Sequence, residues 1–255
     1  MSSWNDLEDE AARWHDAGQT ADLWWRDDDA ADVSPALDKL LTIHRETGVS
    51  LALAVVPARA TKALADRLGN ELDVDLLQHG YAHVNHAAPQ SGKKIEVGAE
   101  RPAMLVLGEL GTGRLALERL FGTRPLAVLV PPWNRIAPAL VPTLPEIGFA
   151  GLSIFGPRRR PQPVKGLLEV NTHVDLIDWK AGRGFVGEQA ALGALVTALA
   201  RARTASREPV GVLSHHLAMD GEAWDFLRSI WKKATKMPGL RVRPARELFR
   251  GEVRG

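Results

Sequence analysis

Val49-Ser50-Leu51-Ala52-Leu53-Ala54-Val55-Val56 is apolar at all but one position and stops at Pro57. A strand with one wet face alternates apolar and polar residues, whereas a parallel strand covered on both faces does not. The octet therefore reads as an interior strand of a parallel sheet. Shorter runs of the same kind lie on either side: Leu23–Trp25, Val74–Leu77, Pro125–Val130, Gly151–Phe155, Leu168–Asn171, Val210–Leu213 and Leu240–Val242. Helical signals alternate with them. Ser34-Pro35 is an N-cap and first-turn pair, with Leu37, Leu40, Leu41 and His44 on one face and Gly48 as a stop. Thr61–Leu68, Arg101–Leu120, Pro138–Ile147, Gln189–Arg203 and the Trp224, Leu227, Ile230, Trp231 stripe supply further helices, although Gly108, Gly111 and Gly113 weaken the third. Ahead of them all, Trp4, Leu7, Ala11 and Trp14 give Ser3–Ala17 the spacing of an amphipathic N-terminal helix. This rhythm predicts an α/β barrel of parallel strands, for which about 250 residues is the usual size. The alternative, a doubly wound open sheet, finds no Gly-x-Gly-x-x-Gly turn after the first strand.

Composition narrows the chemistry. The chain has 255 residues, 45% hydrophobic and 25% charged, with no Ser/Gly/Pro-rich linker, and reads as a single domain over residues 1–255. Lys and Arg number 32 against 31 Asp and Glu, so charge gives no reason to expect nucleic acid or an anionic membrane as partner. The Arg158-Arg159-Arg160 run lies between prolines and reads as a solvated loop. Cysteine is absent, which excludes thiolate ligands and a Cys nucleophile; any metal must be held by His and carboxylate. The polar, acidic Met1–Gly18 stretch has no signal-peptide pattern and no apolar run approaches membrane length, so the expected compartment is the cytoplasm.

The chemistry-bearing residues are not scattered. His79 and His83 have the i, i+4 spacing that lets two side chains converge on one cation, and His86 follows. Six of the eight histidines, His79, His83, His86, His173, His215 and His216, fall where an expected strand gives way to a loop. Asp27-Asp28-Asp29, Asp175 and Asp178 fall at the same edge, the face on which barrel enzymes place their chemistry.

From Leu23 to Asp220 the pattern resembles the polysaccharide deacetylase family, the carbohydrate esterases with a nodulation-protein-type deacetylase domain. The motifs that carry the resemblance come in the family's order: an apolar strand running into Asp-Asp, His79-x-x-x-His83, the Pro131-Pro132-Trp133 loop, Asp175-Leu176-Ile177-Asp178-Trp179, and a hydrophobic strand ending in His215. It implies a deformed (β/α)7 barrel and a divalent metal ion, in the form of a catalytic zinc site, held by one aspartate and two histidines. By that resemblance Asp29, His79 and His83 are the ligands and Asp28 the general base; the register with Asp27 as base and Asp28 as ligand stays open. His215 would be the general acid, oriented by Asp178, with His216 as the other candidate. Trp133 and Trp179 would wall the groove, and Tyr81 and the amide after Pro132 would help hold the oxyanion.

Three positions depart from the family. Gly80 stands where it has a hydroxyl residue, Val130 where it has the Arg that steadies the base, and Ala30 where it has the Gly after the Asp pair. Arg26 and Arg135 are the candidate replacements; strand alternation puts Arg26 on the face of Asp28. The implied activity is metal-dependent hydrolysis of an amide, N-deacetylation of a small carbohydrate or acylated sugar conjugate. The competing expectation is a carbohydrate-binding descendant that has lost turnover. Neither the sugar nor the oligomeric state is written in the sequence.

Overall fold

The computed structural model describes residues 2–180 and 182–250. Its elements alternate as α1 (Trp4–Asp16), β1 (Ala21–Ala30), α2 (Pro35–Thr47), β2 (Leu51–Val55), α3 (Lys62–Leu68), β3 (Val74–His79), α4 (Ala103–Phe121) and β4 (Pro125–Val130). The short strands β5 (Gly151–Leu152), β6 (Leu168–Glu169) and β7 (Thr172–Asp175) follow, and then α5 (Glu188–Arg201), β8 (Val210–Ser214), α6 (Gly221–Ala234), β9 (Leu240–Val242) and α7 (Ala245–Leu248). Every strand pairing is parallel, in the order β6-β5-β4-β3-β2-β1-β8-β7, with β9 beside the start of β1.

The sheet curls into a barrel because one stave changes partners. β6 pairs with β5; two residues later, Thr172 N–H donates to Ile154 O at 3.0 Å and Gly156 N–H to Thr172 O at 2.8 Å, and β7 then pairs with β8. Counting β6 and β7 as one bent stave and setting β9 aside leaves seven, the deformed (β/α)7 barrel. Gly211 on β8 is required at this seam, since a Cβ there would stand 2.5 Å from Trp24 Nε1 and 2.8 Å from Asn171 O.

Alternation along β1 sorts two cores. Leu23 and Trp25 face outward into the main core with α1, α2, α5 and α6, where Trp25 and Trp231 lie 5.8 Å apart. Trp24 joins Ala52, Ala54, Val128 and Val130 inside the barrel, whose base is closed by Ala245 and Phe249. Leu51, Leu53 and Val55 are fully buried, as the nearly continuous apolar octet requires, at about 1.5–3 kcal/mol each. Caps follow the sequence signals: the Ser34 side chain accepts from Leu37 N–H and Gly48 is left-handed.

Three expectations change. β1 does not stop at Trp25 but runs to Ala30, so the acids lie within the strand. Pro138–Ile147 forms two 3₁₀ turns, Pro138–Thr143 and Pro145–Ile147, because Pro142 and Pro145 cannot donate the bonds an α-helix needs. α4 is continuous despite its glycines, since its buried face of Val106, Leu110, Leu117 and Phe121 outweighs the propensity cost. Among the described residues no helix is long and apolar enough to cross a membrane.

Two glycines should therefore answer oppositely to alanine. Gly211→Ala should cost about 1–3 kcal/mol by overpacking the seam, whereas Gly108→Ala in α4, where an added Cβ meets nothing within 4 Å, should gain about 0.5–1 kcal/mol. Urea unfolding of the two variants measures both.

Candidate metal centre and active site

The site is built on the C-terminal ends of β1, β3, β4, β7 and β8. β1 supplies three acids with three different partners. Asp27 faces the outer core, where its carboxylate accepts from Ser214 Oγ at 2.6 Å and His216 N–H at 3.0 Å and pairs with His216 Nδ1. Asp28 faces the barrel interior beside Arg26, whose Nε stands 2.9 Å from Oδ1 and whose Nη2 donates to Oδ2 at 3.0 Å. Strict alternation would send Asp29 back outward. Instead the β1–β2 register slips by one residue between Asp27 and Ala30, and Asp29 takes φ 77°. Such a bulge re-aims a side chain, and here it puts Asp28 and Asp29 on the same rim.

Asp29 Oδ1 lies 3.1 Å from Nε2 of His79, the last residue of β3, and 3.1 Å from Nε2 of His83 in the loop beyond. One donor atom from each residue lies within 4.8 Å of the others. Tetrahedral ligands about 2.0–2.1 Å from a zinc ion stand roughly 3.3 Å apart, so the spacing fits a shared cation. The donor chemistry agrees. Nδ1 of His79 faces the Val130 carbonyl at 3.0 Å and donates to it, which turns Nε2 toward Asp29 either as a second N–H or as a lone pair across a common ion. Burial pushes the Asp29 carboxyl up, but hydrogen bonds from His79 and His83 and charge from His79 and His215 hold it well below the usual carboxylate range. Burial lowers His79, and Asp28 and Asp29 lift it above the ordinary imidazole value. The residues fit a divalent ion.

His215 lies across the rim, with Nε2 4.0 Å from Asp28 Oδ2 and Nδ1 3.7 Å from Asp175 Oδ1. The carboxylate facing its Nδ1 is thus that of Asp175. The resemblance gives the orienting role to Asp178, whose Oδ1 accepts from Lys180 N–H at 2.9 Å in the turn beyond β7. Burial raises the Asp175 carboxyl against the pull of His215. Trp179 donates Nε1–H to Asp175 Oδ2 at 2.9 Å and packs edge-on against His215 at 4.7 Å, while Trp133 lies 4.5 Å from His83. The two expected aromatic walls therefore stand on opposite sides of the site.

Other expectations are corrected. His216, the other candidate acid, faces the outer core: its side chain is 1% exposed and tied to Asp27. The amide of Tyr81 is not free for an oxyanion, because it donates to Glu96 Oε2 at 3.0 Å. In the Pro132–Asn134 turn the first bond is Asn134 N–H to Pro131 O, which leaves the Trp133 amide ahead of it as the oxyanion donor to consider. His173 sits within β7 facing Glu208 at 3.5 Å, away from the rim. Arg135 points outward and donates to Lys94 O at 2.9 Å.

Three further residues have no local sequence signal. Ser153 accepts from Arg26 Nη1 and Asn134 Oδ1 from Nη2, each at 2.6 Å, and Glu96 binds the loop that carries His83. Four non-glycine residues of this rim, Asp29, His83, Trp133 and Asn134, have positive φ. Each costs about 1–3 kcal/mol and persists only where the surroundings over-determine it.

Neither a sequence-family model nor any curated protein sequence matches the chain. Solved structures do. A Mycobacterium smegmatis protein classed as a polysaccharide deacetylase gives a TM-score of 0.65 at 18% identity, over 91% of this chain and 90% of its own. This is the polysaccharide deacetylase fold. A family 4 acetyl xylan esterase from Clostridium thermocellum, solved with a cobalt ion, gives 0.52 at 15% identity over 90% of each chain. The peptidoglycan deacetylase PdaC from Bacillus subtilis gives 0.53 at 14% over 90% of each. At such identities the deacetylase fold is shared, and the chemistry has to come from the side chains.

Two outcomes follow from the pairings on β1. Arg26→Met strands a buried carboxylate and should cost about 3–5 kcal/mol, whereas Arg135→Met should leave the unfolding midpoint unchanged. His216 is pulled down by burial and raised, on balance, by Asp27, so its folded value lies above its unfolded one. Its stabilisation is complete below the unfolded value of about 6.5 and is lost as pH rises through the folded value. The stability gap between the wild type and His216→Asn should therefore narrow from pH 6 to pH 9 in urea titrations; a gap that widens would reverse the assignment.

Proposed function

We propose that this chain is a divergent polysaccharide deacetylase that hydrolyses the amide of an N-acylated sugar or sugar conjugate. What carries the reading is that an Asp-His-His set fit for a divalent cation shares one rim with a carboxylate, Asp28, and an imidazole, His215, held 4.0 Å apart. Asp29, His79 and His83 would hold the ion, with zinc the first expectation for a His-rich site open on one side. Such an ion supplies Lewis acidity to the acyl carbonyl and to a water molecule. Asp28 takes the proton of the attacking water, and the Arg26 guanidinium beside it keeps its carboxylate aimed. His215 then protonates the departing amine, with Asp175 Oδ1 3.7 Å from its far nitrogen to orient the ring. The Trp133 N–H is the donor proposed for the developing oxyanion.

The substrate reading rests on the walls. Trp133 and Trp179 flank the site, and Val84, Phe155 and Leu217, on loops after β3, β5 and β8, are also exposed. Apolar surface at the mouth of a charged site suits the C–H face of a sugar ring. The similar solved structures include an acetyl xylan esterase and a peptidoglycan deacetylase, and the same acyl-sugar class is proposed here. Arg26 supplies the cation that Val130 cannot, which removes the main reason for a non-catalytic descendant.

The test is acetate release from a panel of N-acetylated and O-acetylated sugars by zinc-loaded protein, with amine release as the second readout for the N-acetylated ones, compared with Asp28→Asn. Turnover should fall at least about 100-fold in the variant, the low end of the range for a positioned proton-transfer group, with zinc content unchanged. Loss of zinc from Asp28→Asn, or an active Asp28→Asn beside an inactive Asp27→Asn, would move the base to the other register.

A further inference from the structure

Glu96 is 2% exposed in the coil between β3 and α4. Among the described residues its carboxylate meets no Lys, Arg or His; the Arg101 guanidinium reaches only its main-chain carbonyl, at 3.4 Å. Its partners are three consecutive-loop amides. Oε2 accepts from Tyr81 N–H at 3.0 Å, and Oε1 from Ala82 N–H at 2.8 Å and Val84 N–H at 3.2 Å. A buried carboxylate is costly unless its lone pairs are filled, and here main-chain dipoles fill them, as in an anion-binding nest.

The position of these bonds is informative. They bracket His83, which has φ 57° and whose Nε2 lies 3.1 Å from Asp29. A non-glycine residue holds such a conformation only when its flanks are fixed. Glu96 is fixed in turn: Ile95 N–H donates to Asn85 Oδ1 at 2.9 Å, His86 N–H to Ile95 O at 2.8 Å, and Ala137 N–H to Val97 O at 2.8 Å. The carboxylate also fills the space beside Gly80, where an added Cβ would collide with Glu96 Oε2 and stand 2.5 Å from Pro132 Cδ. A side chain at position 80 and the carboxylate of Glu96 exclude one another.

We propose that Glu96 is a positioning residue: its carboxylate replaces a side chain at position 80 and clamps residues 81–84 so that His83 is presented to Asp29. This deepens the metal-site reading and rests on it for the ligand role of His83. The predicted coupling is partial. Pro132 Cδ and the φ of 55° also hold position 80 to glycine, and removing the carboxylate should relieve the closest of the collisions there.

Two measurements on the full chain separate the clamp from the metal. In metal-free protein, amide hydrogen exchange of Tyr81, Ala82 and Val84 should accelerate about tenfold or more in Glu96→Gln and Glu96→Ala, with the β3 amides of Leu76 and Leu77 unchanged. The isosteric Gln keeps this arm usable if the Ala variant fails to fold. In zinc competition against a chromophoric chelator, both variants should bind about 10- to 100-fold more weakly than wild type, the usual effect of losing a group that orients a ligand. Gly80→Ser alone should also weaken zinc, and Gly80→Ser/Glu96→Ala should bind more tightly than the product of the single effects. Unchanged exchange, unchanged zinc affinity in the Glu96 variants, or strictly additive effects would each overturn the proposal. A wild type that binds no zinc, cobalt or manganese would instead sink the metal reading, with the exchange arm still deciding whether Glu96 clamps the loop.

Discussion

The rim is organised around the ion pair of Arg26 and Asp28, both closed off from solvent inside the barrel mouth. Two charges in that position are tolerable only if nearly every polar atom finds a partner. The guanidinium ion-pairs with Asp28, donating to it from Nη2, which also donates to Asn134 in the loop after β4, while Nη1 donates to Ser153 at the end of β5. One side chain thus ties three staves together. The carboxylate it fixes is the one facing His215 from β8, so the charge that holds the rim together also orders the proposed proton-transfer pair.

Around that pair the chain divides its acids by face. Asp27 belongs to the outer core and is consumed by Ser214 and His216. Asp28 belongs to the interior, and Asp29 reaches the same side only through the bulge. Three adjacent carboxylates would repel one another on a regular strand; separating them by face and giving each its own cationic or N–H partners removes the conflict. The left-handed residues at Asp29, His83, Trp133 and Asn134 are the conformational cost, and they lie where side chains must converge from different staves.

The resemblance carried by short motifs and the fold found in solved structures meet at the same seven staves, although whole-sequence comparison finds nothing. A barrel core tolerates wholesale apolar substitution when volume and patterning persist. The rim tolerates compensated changes too. Arg26, two residues before Asp28, holds from within β1 the cationic place that Val130 on β4 cannot fill, and a carboxylate from residue 96 stands where a side chain at 80 would otherwise be.

How much could be read from residues alone follows from the range of the physics involved. The apolar octet at Val49–Val56, the capped helix after Ser34 and the parallel rhythm are local patterns, and they determined the barrel. The i, i+4 histidines and Asp175-x-x-Asp178-Trp179 are local too, and they located the rim; alternation alone placed Arg26 beside Asp28. Tertiary structure decided what depends on pairing across the barrel. His216 is buried against Asp27 because β8 lies beside β1. Asp175 rather than Asp178 faces His215 because β7 pairs with β8 in that register. Asp29 turns inward because β2 forces a bulge that no propensity in Asp27-Asp28-Asp29 announces. Glu96 reaches Tyr81, Ala82 and Val84 across a loop whose path is set by contacts with Ile136 and Ala137, an arrangement written in distances between segments and not in the order of residues along either one.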